Sequence, residues 1–345
     1  MSTMRAAVVR EHGDLDCVGI EQRPIPEPAA DQVQLLVKAA GVNHLDLWVR
    51  KGVPGHKFPL PMILGCDFAG VITKVGSAVR NVVVGDAVCV APGFSCGTCQ
   101  PCLSGQDNLC RGYGIFGETR DGGAAEYAAV SAANVIKKPD NLSFEQAAAF
   151  PLATLTAWNM LVRRCHIQPG QTVLVHAAGS GVGSAAVQIA KLWGANVIAT
   201  AGSDAKLERA KELGADHTIN YSELNFAKEV RALTGKAGVD IVFEHTGEAT
   251  WDGSVRSIKR GGHLVTCGAT SGFEARFDLR LLFFKNVAFM GSTMGSRGDL
   301  ITIVDHMATG RLKPVVDRVL PLDDVREAHR ILDQREQFGK IVLVP

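Results

Sequence analysis

The sequence predicts an α/β protein: a doubly wound parallel sheet set between two parts of a β-rich domain. Three observations carry that prediction. From Gln171 onward, short β-branched runs alternate with helical stretches of about 10–15 residues, the pattern of βαβ units around a parallel sheet. Before about residue 150 the texture differs, with short apolar runs punctuated by glycine, proline and aspartate. The length of 345 residues leaves room for two or three domains of roughly 100–200 residues each.

In the first part, Ala6–Val9, Val33–Val37 and Val71–Val75 read as strands, while Pro24, Pro26 and Pro28 mark an extended, unpaired connection. The alternating part opens with a strand, Thr172–His176, and a helix from about Gly181. That helix is expected to set Val182, Ala186, Ile189 and Trp193 on one face and to stop at Gly194. A strand at Asn196–Thr200 and a helix from Asp204 follow. Val239–Glu244, His263–Cys267 and Val287–Gly291 are the later strands. A helix opened by Asp323 and a strand, Ile341–Val344, close the chain. The expected organisation is a β-rich domain from 1–152 and 293–345, with a small lobe at about 93–112, around a sheet domain at 153–292.

Composition narrows the function classes. Lys plus Arg is 36 and Asp plus Glu is 35, for a net charge of +1, and no block of like charge breaks the balance. That argues against nucleic acid or a membrane surface as partner. An apolar content of 46% is too high for a disordered chain, yet no run approaches the 20 or so apolar residues of a membrane span. The start, MSTMRAAVVREHGD, lacks a basic lead followed by an apolar segment, so a cytoplasmic location is expected. Nine cysteines, four of them within fifteen residues, fit metal ligation or free thiols better than a disulfide framework.

Between the first strand and first helix of the sheet domain stands Ala177-Ala178-Gly179-Ser180-Gly181-Val182-Gly183. A strand, a small-residue turn and a helix N-terminus bring unpaired N–H groups and the helix dipole to one place, which suits a pyrophosphate. Gly179, Ser180, Gly181 and Val182 are therefore the candidate cofactor residues of a Rossmann-type dinucleotide domain. An NAD site places a carboxylate about 20 residues on, against the ribose hydroxyls. Here that stretch is Ala199-Thr200-Ala201-Gly202-Ser203-Asp204-Ala205-Lys206, with Ala201 at the position. Ser203 and Lys206 can instead meet a 2′-phosphate, so NADPH is the expected cofactor. Simple capping of the next helix by Ser203 and Asp204 would leave the same sequence trace.

Cys96-x₂-Cys99-x₂-Cys102-x₇-Cys110 is the most specific short pattern in the chain. Four thiolates form a closed tetrahedral site with no position for substrate, so one structural zinc per chain is expected. Cys17, Cys89, Cys165 and Cys267 are scattered and read as small buried apolar residues.

Together these motifs resemble the medium-chain dehydrogenase/reductase superfamily over nearly the whole chain. The resemblance rests on Gly41-Val42-Asn43-His44-Leu45-Asp46, Gly65-Cys66-Asp67-Phe68-Ala69-Gly70, Val84-Gly85-Asp86-Ala87-Val88 and the cysteine lobe. It rests also on Asp121-Gly122-Gly123-Ala124-Ala125-Glu126-Tyr127, the glycine-rich turn and the ending Gly339-Lys340-Ile341-Val342. It implies a barrel-like catalytic domain beside the dinucleotide domain, a small-molecule substrate, and a homodimer or homotetramer.

Zinc-dependent alcohol dehydrogenases of that superfamily hold a catalytic zinc on a cysteine, a histidine and a second cysteine. Aligned by motif, those positions are Asn43, Cys66 and Leu152 here. Leucine cannot ligate and asparagine is a feeble ligand for zinc. A rearranged site built on Cys66, Asp67 and His44 is the alternative expectation.

Asn43, the turn, and Thr218-Ile219-Asn220-Tyr221 are similar instead to the quinone oxidoreductase and enoyl reductase branch, which lacks catalytic zinc. That resemblance implies that Ser203, Lys206 and Tyr221 bind the 2′-phosphate of NADPH. The cysteine lobe is absent from many members of that branch. The expected function is NADPH-dependent reduction of an activated C=C bond in an enone, quinone or enoyl thioester. An alcohol or aldehyde dehydrogenase with a rearranged zinc, and a non-catalytic NADPH-binding sensor, are the rivals. Asn43, His44, Cys66 and Asp67 are the candidate catalytic residues, although Asn43 fixing a loop and His44 satisfied within the fold remain open.

Overall fold

The computed structural model describes residues 2–345. Two compact units emerge: the chain up to Leu152 together with Ser296–Pro345, and Ala153–Gly295. The return to the first unit falls at Ser296, which caps the helix Arg297–Ala308 by accepting the Asp299 N–H. Among the described residues no helix is long and apolar enough to cross a membrane.

The unit Ala153–Gly295 is built on a six-stranded, wholly parallel sheet. Its spatial order is His217–Asn220, Asn196–Ala201, Thr172–Val175, Val239–Glu244, Ile258–Thr266 and Ala288–Gly291. The first strand in sequence thus lies third in space, between the second and the fourth. Strand order reverses there, and in such sheets the ligand crevice opens at that point, beyond the carboxyl ends of the strands. Leu174, Ile198, Val242 and Leu264 are all at most 1% exposed, giving the continuous apolar runs that a sheet covered on both faces requires.

The helix after the first strand runs Gly181–Leu192. Its covered face is Gly183–Val187 with Ile189 and Ala190, whereas Val182 and Trp193 are only half-buried. Small residues at its start let the helix lie close against the sheet, which shifts the buried stripe from the one that the larger side chains mark. Gly194, at φ +72°, takes the chain out of the helix. The strand His217–Asn220, not expected as a strand, is four residues long at the sheet edge and too short to show a period.

The other unit holds three sheets. Thr3–Val9 pairs antiparallel with Val18–Pro24 and with Met62–Ile63. Pro24 therefore ends a strand opposite Thr3, where a proline costs no ladder hydrogen bond, and is not part of the unpaired connection. A seven-stranded sheet is centred on Gln32–Gly41, which pairs with Asp67–Val75, Tyr127–Ser131 and the closing strand Lys340–Val344. Gly93–Phe94 and Gly114–Ile115 form a small ribbon at the base of the cysteine lobe. The pairing of Lys340–Val344 with Gln32–Gly41 joins the two ends of the chain, and the site develops at that seam. The helix expected from Asp323 starts with a short 3₁₀ turn, Leu322–Asp324, and continues as Val325–Asp333.

Candidate active site

The loop after Gln32–Gly41 delivers Asn43, the N-cap residue of the helix His44–Lys51. Asp46 completes the cap: its Oδ2 accepts the Asn43 N–H at 2.7 Å and its Oδ1 accepts the Gly65 N–H at 3.0 Å. One carboxylate thus ties the helix start to the segment that carries Cys66 and Asp67. Burial pushes the Asp46 carboxyl up to about 6.

With its backbone held by Asp46, Asn43 spends its side chain elsewhere. The amide Nδ2 donates to Asp67 Oδ2 at 2.9 Å, to Cys66 Sγ at 3.2 Å and to Gly41 O at 3.3 Å. Its Oδ1 accepts from the ammonium of Lys340. Lys340 also donates to Asp67 Oδ2 at 3.2 Å, and Asp67 Oδ1 accepts the Leu152 N–H at 2.8 Å. Asn43, Asp67 and Lys340 are 7%, 0% and 5% exposed, so the cluster is closed and nearly water-free. Burial, with Asp67 and Asp46 adding to it, pushes the Cys66 thiol up.

The three positions expected to carry a degraded zinc site therefore hold a hydrogen-bonded set: an amide at 43, a protonated thiol at 66 and a backbone N–H at 152. The residue missed by sequence reasoning is Lys340, whose ammonium is the cation of this cluster. Its visible signal is the ending Gly339-Lys340-Ile341-Val342, which sets a lysine at the head of an otherwise apolar closing strand.

His44 does not join the cluster. It opens the helix and lies within electrostatic reach of Asp333. Among the described residues, the one group of three or more His, Cys, Asp or Glu donors close enough to share a metal lies elsewhere. Cys66, Asp67 and His44 do not form such a group, so the rearranged site is not assembled among the described residues.

That donor group is the cysteine lobe. The Sγ atoms of Cys96, Cys99, Cys102 and Cys110 all lie within 4.8 Å of one another. Cys99–Cys102 and Cys96–Cys110 are 3.5 Å apart, and Cys96–Cys102 is 3.9 Å. A zinc with four bonds of about 2.3 Å to sulfur needs edges of about 3.8 Å, so these residues fit the metal. The backbone N–H groups of Thr98 and Cys99 pull the Cys96 thiol down to about 5, readying it as a thiolate. The Arg297 N–H donates to Asp107 Oδ1 at 3.0 Å and so fastens the lobe to the helix Arg297–Ala308. Of the other cysteines, Cys89 and Cys165 are buried as expected, but Cys17 and Cys267 are half-exposed.

In the sheet unit the turn Ala177–Gly183 sits at the carboxyl end of the first strand, at the reversal of strand order. Ser180 caps the helix by accepting the Gly183 N–H at 2.9 Å. A Cβ on Gly183 would fall 2.4 Å from Ala177 O, so only glycine allows the turn to fold this closely on the helix. The N–H groups of Gly181 and Val182, in the first helical turn, have no partner within the helix, the arrangement that cradles a phosphate.

Ala201 ends the next strand, 2% exposed, and its register partner Asn220 donates through Nδ2 to Asp204 Oδ1 at 3.0 Å. Ser203 is the N-cap residue of Asp204–Glu212 but makes no side-chain capping bond. The Tyr221 hydroxyl lies 3.0 Å from where a Cβ on Gly202 would stand, so its ring covers Gly202. Ser203 and Lys206 follow one strand and Tyr221 follows its parallel neighbour, so all three lie just past the carboxyl ends of adjacent strands, residue types that could hold a 2′-phosphate.

Below the turn runs a buried polar seam that sequence reasoning did not find. His176 contacts Thr200 Oγ1 at 3.1 Å and Ser254 Oγ at 2.9 Å, and Ser254 Oγ donates to Glu244 Oε2 at 2.7 Å. Burial brings His176 down to about 4. The seam ties three strands together directly behind the phosphate turn.

The geometry can be set beside known proteins. One family model, the alcohol dehydrogenase GroES-like domain, matches residues 29–140, and another, zinc-binding dehydrogenase, matches residues 181–309. An alcohol dehydrogenase of Geobacillus stearothermophilus is 35% identical, over 99% of this chain and 99% of its own length. The chain belongs to the medium-chain dehydrogenase/reductase superfamily. Other members of the superfamily differ in what they are named for. A crotonyl-CoA carboxylase/reductase of Cereibacter sphaeroides is 33% identical, over 94% of this chain and 83% of its own. A crystal structure of an NAD-dependent alcohol dehydrogenase superposes with a TM-score of 0.96 at 49% identity, covering 99% of this chain and 100% of that one. The protein is an oxidoreductase of this superfamily, with its sheet unit the dinucleotide-type domain and its sheet-rich unit the catalytic one.

Proposed function

We propose that this medium-chain dehydrogenase/reductase uses NADPH to reduce a C=C bond conjugated to a carbonyl, in an enone, quinone or enoyl thioester. The observation that carries the reading is the closed Asn43–Cys66–Asp67–Lys340 cluster. Its donor set suits a hydrogen-bonded cation and not a zinc: one amide, one thiol held protonated, and a backbone N–H where a third ligand would stand. Carbonyl reduction leaves an alkoxide that a Lewis acid stabilises, whereas conjugate reduction spreads charge into an enolate that hydrogen-bond donors can hold. We therefore derive no step through a catalytic metal.

NADPH, when bound, supplies the hydride. The chain's own part is to hold it: the Gly179–Val182 turn takes the pyrophosphate, and Ser203, Lys206 and Tyr221 take the 2′-phosphate. Asp46 and Asn43 fix the segment around Cys66 as a rigid wall. In the cysteine lobe, one zinc per chain on Cys96, Cys99, Cys102 and Cys110 is structural.

The solved alcohol dehydrogenase at 49% identity favours a second reading, oxidation of an alcohol or reduction of an aldehyde with NAD(H). Turnover with NADPH and with NADH decides between them, measured on crotonyl-type thioesters, enones and quinones against a panel of aldehydes. The proposal expects NADPH consumption on the conjugated substrates and little on aldehydes. Activity confined to aldehydes with NADH overturns it, and tight NADPH binding with no turnover on any substrate would make the protein a sensor.

A further inference from the structure

Ala177, the first residue of the phosphate turn, has φ +44°, in the left-handed region that an alanine enters only at a cost. The residue before it, His176, is 1% exposed and held at every polar group. Its N–H donates to Phe243 O at 3.3 Å, and its O accepts from His245 Nε2 at 2.8 Å. Counting donors assigns the ring bonds. Glu244 accepts from the N–H groups of Thr246 and Gly247 and from the Thr250 hydroxyl, the surroundings of an ionised carboxylate. Such a group only accepts, so the Ser254 hydroxyl donates its proton to Glu244 Oε2. Ser254 Oγ then accepts from His176 Nε2–H, which leaves Nδ1 to accept from the Thr200 hydroxyl. Phe226 packs edge-on against the ring, with centroids 4.8 Å apart.

We infer that His176 is a positioning residue for the cofactor: its ring bonds to Thr200 and Ser254 hold Ala177 left-handed and so preorganise the turn Gly179–Val182 for the pyrophosphate. The link between the two is direct. Ala177 O accepts the Ser180 N–H at 2.8 Å, and Ser180 caps the helix, so the conformation at 177 sets where the free N–H groups of the first helical turn stand. The Ala178 N–H donates to Thr200 O at 2.9 Å, which ties the other side of residue 177 to the same strand. A glycine at 177 would adopt this φ without strain; with an alanine there, the surroundings must impose it. The inference rests on the pyrophosphate reading of the turn proposed above, and not on the choice between NADPH and NADH, which share that group.

The test is a double-mutant cycle on the full-length protein, read as dissociation constants for NADPH and NADH by fluorescence titration. His176→Leu is expected to raise the constants about tenfold, for NADPH and NADH alike, as Ala177 relaxes out of the left-handed region. In an Ala177→Gly background the same substitution should raise them by no more than about threefold. A histidine that only supports the core would lower Tm, leave the constants of the folded protein in place and show no dependence on residue 177. A folded His176→Leu that binds as wild type does, or a loss of equal size in the two backgrounds, overturns the inference. If His176→Leu does not fold, Thr200→Val, which removes only the bond to Nδ1, decides it. A rise that Ala177→Gly relieves upholds the inference; no rise, or one that glycine does not relieve, refutes it. Wild type that binds neither dinucleotide would defeat the pyrophosphate reading and the inference with it, whereas the other contrary outcomes defeat the inference alone.

Discussion

The Lys340 ammonium donates to Asn43 Oδ1 across 297 positions of sequence, and both residues then converge on one oxygen of Asp67. This contact makes the closing strand part of the candidate active site. It also explains how an asparagine can occupy a position where relatives with catalytic zinc need a ligand.

Removing one partner of a buried ion pair strands the other charge, at a cost of about 3–5 kcal/mol, whereas removing both costs much less. Lys340→Met is expected to lower unfolding stability by that amount. The double variant Lys340→Met/Asp67→Asn should lose less than the two single losses added together. Denaturant unfolding of all three proteins checks this, and strictly additive losses would dissolve the pair.

The 2′-phosphate assignment gives a charge prediction. Ser203→Asp places a carboxylate where the phosphate would lie, and two like charges in contact are strongly disfavoured. The dissociation constant for NADPH should rise about tenfold or more, while that for NADH moves by only a few-fold. Fluorescence titration with each cofactor measures both. Equal weakening of the two would place the phosphate elsewhere.

Much of this was legible in the sequence, for physical reasons that differ by element. Val239–Glu244 and the Asp204 helix start are visible because covered strands and N-caps leave local marks. The cysteine lobe is visible because tetrahedral ligation imposes a spacing. Lys340, by contrast, is defined by partners far away in sequence, and no local pattern reports a contact of that kind. The seam of His176, Thr200, Ser254 and Glu244 is hidden for the same reason. His44 enters the sequence reading only through the alternative site with Cys66 and Asp67, because adjacency in sequence at a helix start says little about where a side chain lies.

The cysteine lobe should behave as a local clamp. Cys102 lies on a one-turn helix, Gln100–Leu103, that Cys99 caps, Cys110 follows a 3₁₀ turn, Asp107–Leu109, and Cys96 stands in the loop before them. Neither the one-turn helix nor the 3₁₀ turn can persist unaided. Cys99→Ser is expected to lose the lobe's zinc and to lower Tm by several degrees, with strong chelators doing the same to wild type. Elemental analysis beside differential scanning calorimetry checks the link; an unchanged Tm after complete zinc loss would contradict it.

Two buried groups make opposite contributions to pH dependence. His329 is held down to about 3 by burial, with Arg50 adding to it, and its Nδ1 has no partner. The unfolded chain binds this proton more readily, so stability is lost as pH falls from about 6.5 toward 3, by up to about 5 kcal/mol. Asp46, pushed up to about 6, works the other way: the folded chain binds its proton more readily. Its share of stability therefore declines as pH rises from about 4 to 6, by about 3 kcal/mol. Unfolding free energies from pH 4 to 7 should show a gentler acid loss in His329→Leu than in wild type. In Asp46→Asn the acid loss should be steeper, because the opposing slope is gone. The reverse order of slopes would contradict both assignments.

The central claim is that this chain keeps a structural zinc on its cysteine lobe and holds no second zinc at Asn43, Cys66 and Leu152. Zinc per chain, measured by elemental analysis on protein purified without chelator or added metal, tests it most directly. One zinc, retained in Cys66→Ser and lost in Cys99→Ser, is the predicted result. Two zinc ions in wild type, the second of them lost in Cys66→Ser, would contradict the account and return the protein to the zinc-dependent dehydrogenases.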